Sequence, residues 1–149
     1  MQQKMPKQET MTQAHIRKAQ GAFLLAHRMG LIEDPTMEGL ETRRQKHNEE
    51  LRRMEQEGQR FYGPHYFSAP AYLQYECTRF RLAFAGERKQ VQYDYAPITA
   101  REEKAYYKAN KDLFTRYMGD KFRFREVKQV VRKKMREEEY DRAVQDLLR

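Results

Sequence analysis

The chain has 149 residues, the length of one ordinary domain and enough to bury a core. Hydrophobic residues make up 39% and charged residues 35%, with mean hydropathy −1.10, which is polar for a globular domain but too apolar and aromatic for a disordered one. A net charge of +8 favours anionic partners, no apolar run approaches the roughly 20 residues of a membrane span, and one cysteine excludes an internal disulfide.

Residues 1–9 are polar and read as a disordered N-terminal tail, leaving 10–149 as a single helical domain. Thr10 with Gln13 reads as a capping box opening the first helix. Ile16, Ala19, Phe23 and Ala26 then recur at helical spacing, widened by Ala22 and Met29. Gly30 suits the position just past the helix end, where Leu31 and Ile32 fold back onto the last turn.

Asp34-Pro35 predicts the start of a second helix over 36–57, with Asp as acceptor for free N–H groups and Pro at the first helical position. Met37, Leu40, Leu51 and Met54 form its seam, but Arg44 and His47 occupy the middle, so this helix rests one side on a neighbour. Gly58 ends it. The stretch Phe61-Tyr62-Gly63-Pro64-His65-Tyr66-Phe67 is an aromatic loop, punctuated by Gly63-Pro64.

Ser68 caps a third helix with Pro70 in its first turn, and Leu73, Cys77, Phe80 and Phe84 mark its buried face. Residues 86–97 form an internal linker, in which Val91, Tyr93 and Tyr95 alternate as in a short strand or extended segment. Thr99-x-x-Glu102 is a capping box for a fourth helix, whose apolar side is Tyr106, Tyr107, Leu113, Phe114 and Tyr117 and which Gly119 closes. Asp120 caps a last helix running to about residue 148, with Val127, Val131 and Met135 followed by Tyr140, Val144, Leu147 and Leu148. The step from Met135 to Tyr140 breaks the period, so this helix curves or changes neighbours there. The expected class is all-α, about five helices, with the N-terminal helices packed against the long C-terminal one.

No catalytic constellation emerges from these residues. His15, His27, His47 and His65 are scattered, and His15 and His27 lie about 18 Å apart along a helix. No pair has the spacing of a helical metal site, and no second cysteine could help, so neither a metal nor a cofactor is expected. Cys77 falls on an apolar face and reads as a small core residue, not a nucleophile. The aromatic residues exceed the needs of a narrow core. Phe61, Tyr62, Tyr66, Phe67, Tyr72, Tyr106 and Tyr107 are therefore candidates for a shallow groove that binds extended or non-native polypeptide. Arg125, Lys128, Arg132, Lys133, Lys134 and Arg136 form a basic cluster that would serve nucleic acid. The run Glu137–Glu139 beside it favours a solvated helix face with internal ion pairs.

The segment Glu102-Glu103-Lys104-Ala105-Tyr106-Tyr107-Lys108-Ala109-Asn110-Lys111-Asp112-Leu113-Phe114 resembles a helix of SurA/PrsA-type foldases. Phe124 to Lys128 and on through Tyr140 is similar to their closing helix, and Ala14–Ile32 with Phe61–Phe84 is compatible in layout with the SurA N-terminal helical domain. Only Lys111 to Arg123 separates the two helices between which those proteins insert their parvulin isomerase domain, too little for a domain. The resemblance thus implies the helical chaperone part alone, a protein that holds polypeptide without enzymatic activity. The alternatives are a basic nucleic-acid-binding protein, or a structural subunit of a larger assembly bound to a specific protein partner or to copies of itself. Met1 to Pro6 carry no apolar leader core, so the sequence as it stands reads as cytoplasmic; a removed leader would make it extracytoplasmic, as the foldases usually are.

Overall fold

A computed structural model describes residues 12–86, 90–115, 119 and 121–149. Five α-helices follow one another among them: α1 (Gln13–Arg28), α2 (Met37–Gln56), α3 (Ala69–Ala85), α4 (Ala100–Ala109) and α5 (Phe124–Leu147), with a 3-10 turn at Lys111–Phe114 after α4. The described residues contain no strand, only an isolated bridge between Thr115 and Lys121. The expected all-α class holds.

Caps set most of the boundaries. Ser68 accepts from the Ala71 amide at 3.3 Å, and Thr99 accepts from the Glu102 amide at 3.1 Å, as their sequence positions predict. Gly30, at φ +79°, ends α1: its amide donates to His27 O and the Leu31 amide to Ala26 O, which buries Ile32 behind the last turn. Other expectations shift. The N-cap of α1 is Thr12, accepting from His15; Thr10, like residues 1–9, lies outside the described residues. Asp34 does not cap α2. Its carboxylate accepts from the amide and hydroxyl of Thr36, holding its pKa below the usual range, and Thr36 becomes the cap by accepting from Gly39. A Cβ at position 39 would lie 2.6 Å from Asp34 O, so this tight entry requires glycine. α4 ends at Ala109 instead of continuing to Gly119, because Asn110 folds its side-chain amide back onto Tyr106 O. α5 begins at Phe124 without a side-chain cap; Asp120 and Tyr117 fall outside the described residues.

The main core joins α1, α3 and the second half of α5. Phe23, Met29, Phe80 and Phe84 are fully buried there, with Tyr140 and Val144 packed onto them. Val91, buried in the extended 90–97 segment, and the Gln92 amide, which donates to Met29 O, pin that segment across the end of α1. A second, smaller core sets Phe114, Val127 and Val131 against Tyr106, Tyr107, Phe122 and Phe124. α5 belongs to both. Val131 and Tyr140 lie nine residues apart, which at about 100° per residue places them on opposite sides of the helix. The broken period at Met135 to Tyr140 is thus the point where α5 exchanges one neighbour for another. The two ends of the chain meet, as expected: Arg17 of α1 donates to Leu148 O at 2.9 Å.

Ion pairs tie the helices together. Arg81 of α3 reaches Glu137 at 2.8 Å and Asp141 at 2.9 Å on α5. Deeper, Glu76 is 0% exposed on the apolar side of α3. Arg43 of α2 covers it with a two-pronged contact, Nε to Oε2 at 2.8 Å and Nη2 to Oε1 at 2.9 Å, while its Nη1 donates to Asp34 O at 2.7 Å.

Candidate functional site

The 61–67 loop is built around a buried anchor. Asn48, on α2, donates its side-chain amide to Phe67 O at 3.0 Å and accepts from the Phe67 amide at 2.8 Å, so the loop's last residue is gripped at both backbone groups. The Phe67 ring then packs inside, with His47 at 5.3 Å, Tyr72 at 5.7 Å and Tyr75 at 5.1 Å between ring centroids. Tyr72 and Tyr75 stack on each other, and burial beside Glu76 pushes the Tyr72 phenol up to about 12. Asn48→Ala should strand the buried Phe67 amide and destabilise the protein by about 1–3 kcal/mol. Urea unfolding would measure this.

The polar fringe of the loop is equally fixed. Arg44 donates to the Tyr66 hydroxyl at 3.1 Å and to Phe67 O at 3.0 Å, and grips Glu41 with two bonds of 2.6 and 2.9 Å. Gln45 adds a bond to the same carboxylate at 3.2 Å, and the Arg44 hydrogen bonds hold Glu41 below the usual carboxylate range. Tyr66 remains 64% exposed, Tyr62 is wholly exposed, and Tyr75 is 38% exposed. Phe61 is half-buried against His65, with centroids 4.7 Å apart.

Of the seven aromatic candidates, five belong to this region, but Phe67 and Tyr72 are consumed by packing. Tyr106 and Tyr107 lie in the second core and make no open groove. Burial, reinforced by the hydrogen bond that Tyr106 donates to Glu138 at 3.0 Å, pushes the Tyr106 phenol up to about 12. Tyr107 donates to Phe122 O and packs on Phe114 and Phe124. Asn48 went unnoticed in the sequence, and His47, Tyr75 and Arg44 were not among the site candidates. His47 and Tyr75 stand at helical positions facing Phe67, and the His47 contact spans 20 residues, which no local pattern reveals.

The basic cluster does not form one free surface. Arg125, Lys128 and Lys133 are exposed, but Arg132 pairs with the buried Glu103 at 3.5 Å and Lys134 is half-buried. Arg136 pairs with Glu139, donates to Ala96 O at 2.7 Å and sits 4.7 Å over the Tyr95 ring. An open groove of about 660 Å³ runs here between the end of α3, Tyr95 and α5, lined by Phe84, Gln129, Val130 and Lys133 among others. Among the described residues no group of three or more His, Cys, Asp or Glu side chains could hold a metal ion, and no helix is long and apolar enough to cross a membrane. Burial, reinforced by Glu76, pushes the Cys77 thiol up to about 11. Its alkylation by iodoacetamide near pH 8 should therefore be about 100-fold slower than that of an unperturbed thiol, a rate readily followed by mass spectrometry.

No protein-family profile matches the chain, and no curated protein matches it in sequence. Its fold, however, is found in a solved enzyme. The crystal structure of the native GH136 lacto-N-biosidase from Eubacterium ramulus superposes with a TM-score of 0.73 over 89% of this chain, at 24% identity. The selenomethionine derivative of the same enzyme gives 0.72 over 88%, also at 24% identity. In each case the match spans only 27% of the enzyme's chain. This fold likeness overturns the resemblance to SurA/PrsA-type foldases and the chaperone-like, polypeptide-binding function drawn from it, and the nucleic-acid and structural-subunit alternatives fit no better. It also overturns the expectation of a protein with no enzymatic role, since the fold forms part of a glycoside hydrolase. The misleading signal was the Tyr106-Tyr107 helix, whose rings and hydroxyls serve a local helix–helix contact.

Proposed function

We propose that the chain is the helical module of a glycoside hydrolase that acts on lacto-N-biosides. The single observation behind this reading is the superposition on the lacto-N-biosidase over 89% of this chain. Because the matched region is 27% of that enzyme, the activity belongs to the whole protein or complex in which the module works. The module's own contribution is a body of two cores joined by α5, with the aromatic loop and the groove between α3, Tyr95 and α5 on its surface.

The test is hydrolysis of a chromogenic lacto-N-bioside by the protein or complex that contains this chain. Release of the chromophore, together with its loss when the α1–α3–α5 core is broken by Phe80→Ala, is the expected result. No hydrolysis of this or any other glycoside in a broad panel would refute the reading.

A further inference from the structure

The geometry points to the surface around Tyr66, bordered by the Arg44–Glu41–Gln45 network, as a binding site for a neutral sugar ring of a glycan. The inference rests on the reading above that the chain belongs to a glycoside hydrolase, and names a contact that such an enzyme would make with its carbohydrate.

A pyranose ring has a face of C–H bonds and a rim of hydroxyls. The C–H face gains dispersion and electrostatic contact with the negative face of an aromatic ring. The hydroxyls, each both donor and acceptor, pair best with planar polar groups. Both elements are present side by side. Arg44 lies 5.9 Å over one face of Tyr66, yet most of that side chain stays open to solvent. Around it stand a guanidinium, a carboxylate and a carboxamide already linked to one another.

Charge decides the class of sugar. Arg44 and Glu41 neutralise each other in a two-bond pair, so the fringe offers hydrogen bonds without net attraction for an acidic ligand. A protein-docking face would instead show a core of apolar side chains stripped of charged neighbours. Here the open Tyr66 ring is bordered by hydrogen-bonding groups. Preorganisation supplies the last argument. The Asn48 grip on Phe67 and the Arg44 bond to the Tyr66 hydroxyl set the ring's place before any ligand arrives, which lowers the ordering cost of binding.

Isothermal titration of the protein with lacto-N-biose and with lactose tests the site. Saturable binding in about the millimolar range is expected, and Tyr66→Ala should weaken it at least about tenfold. Tyr66→Phe keeps the ring and should retain most of the affinity; Tyr93→Phe, packed on Phe84 and Tyr95, should change nothing. Absence of saturable binding by the unaltered protein, or equal affinity in Tyr66→Ala, would overturn the proposal. So would a Tyr66→Ala effect confined to assembly with another protein. Lacto-N-bioside hydrolysis with kcat and KM unchanged in Tyr66→Ala would remove this site and leave the enzyme reading standing. Sugar binding without any hydrolysis would do the reverse.

Discussion

Arg43→Met should lower the stability of the fold by about 3–5 kcal/mol, the cost of leaving a buried carboxylate without its partner. Glu76 has no exposed surface from which to reach water, and Arg43 is the cation that meets both of its oxygens. The guanidinium also holds the carbonyl of Asp34 at the entry to α2, so one substitution removes the charge pair of the α2–α3 contact and a hydrogen bond at the start of α2 together. A fall of about 10 °C in Tm is expected for a chain of this size. The double variant Arg43→Met with Glu76→Leu should recover most of the loss, because removing both charges removes the desolvation penalty with them. A double variant no more stable than Arg43→Met would show that the ion pair is not the source of the effect.

Phe80→Ala is expected to destabilise by a similar amount, about 3–5 kcal/mol, through lost burial and the cavity it leaves. Phe80 is fully buried, meets the Phe23 ring edge-on at 6.2 Å, and has Arg79 stacked 5.3 Å from its own centroid. The site lies where α1 and α3 pack, so little around it can collapse inward. Set against a typical domain stability of about 5–15 kcal/mol, this loss threatens folding itself. Phe80→Leu, which keeps most of the volume, should cost less and permits a full denaturation curve if the alanine variant is insoluble. An alanine variant with an unchanged midpoint would mean that the core sits elsewhere.

Local signals carried far into this fold. Ser68, Thr99, Gly30 and Gly58 each mark a helix end because the chemistry of a cap is complete within four or five residues. The apolar stripe of α3 was equally legible at Leu73, Phe80 and Phe84. Glu76 was not, since a carboxylate on that face makes sense only with Arg43, 33 residues away. The aromatic loop was recognisable as unusual, and Tyr62 and Tyr66 are indeed open to solvent. Which of its rings face inward depends on Asn48 and His47, whose role comes from tertiary contact and not from their neighbours in sequence. The Tyr106-Tyr107 pair shows the converse hazard: a short helical motif repeats across unrelated folds because many helices need a ring pair at a seam.

The opposed stripes of α5 fix the length of that helix as firmly as its composition. Val127 and Val131 face one core and Tyr140 and Val144 the other, so the two halves keep a set phase across the Met135–Tyr140 step. One residue added or deleted there would rotate the distal half by about 100° and turn Tyr140 and Val144 away from α1 and α3. The same change at the Gly63-Pro64 tip would leave both cores in register. Divergent versions of this module should therefore differ in length at their loops while α5 keeps its residue count between the two cores.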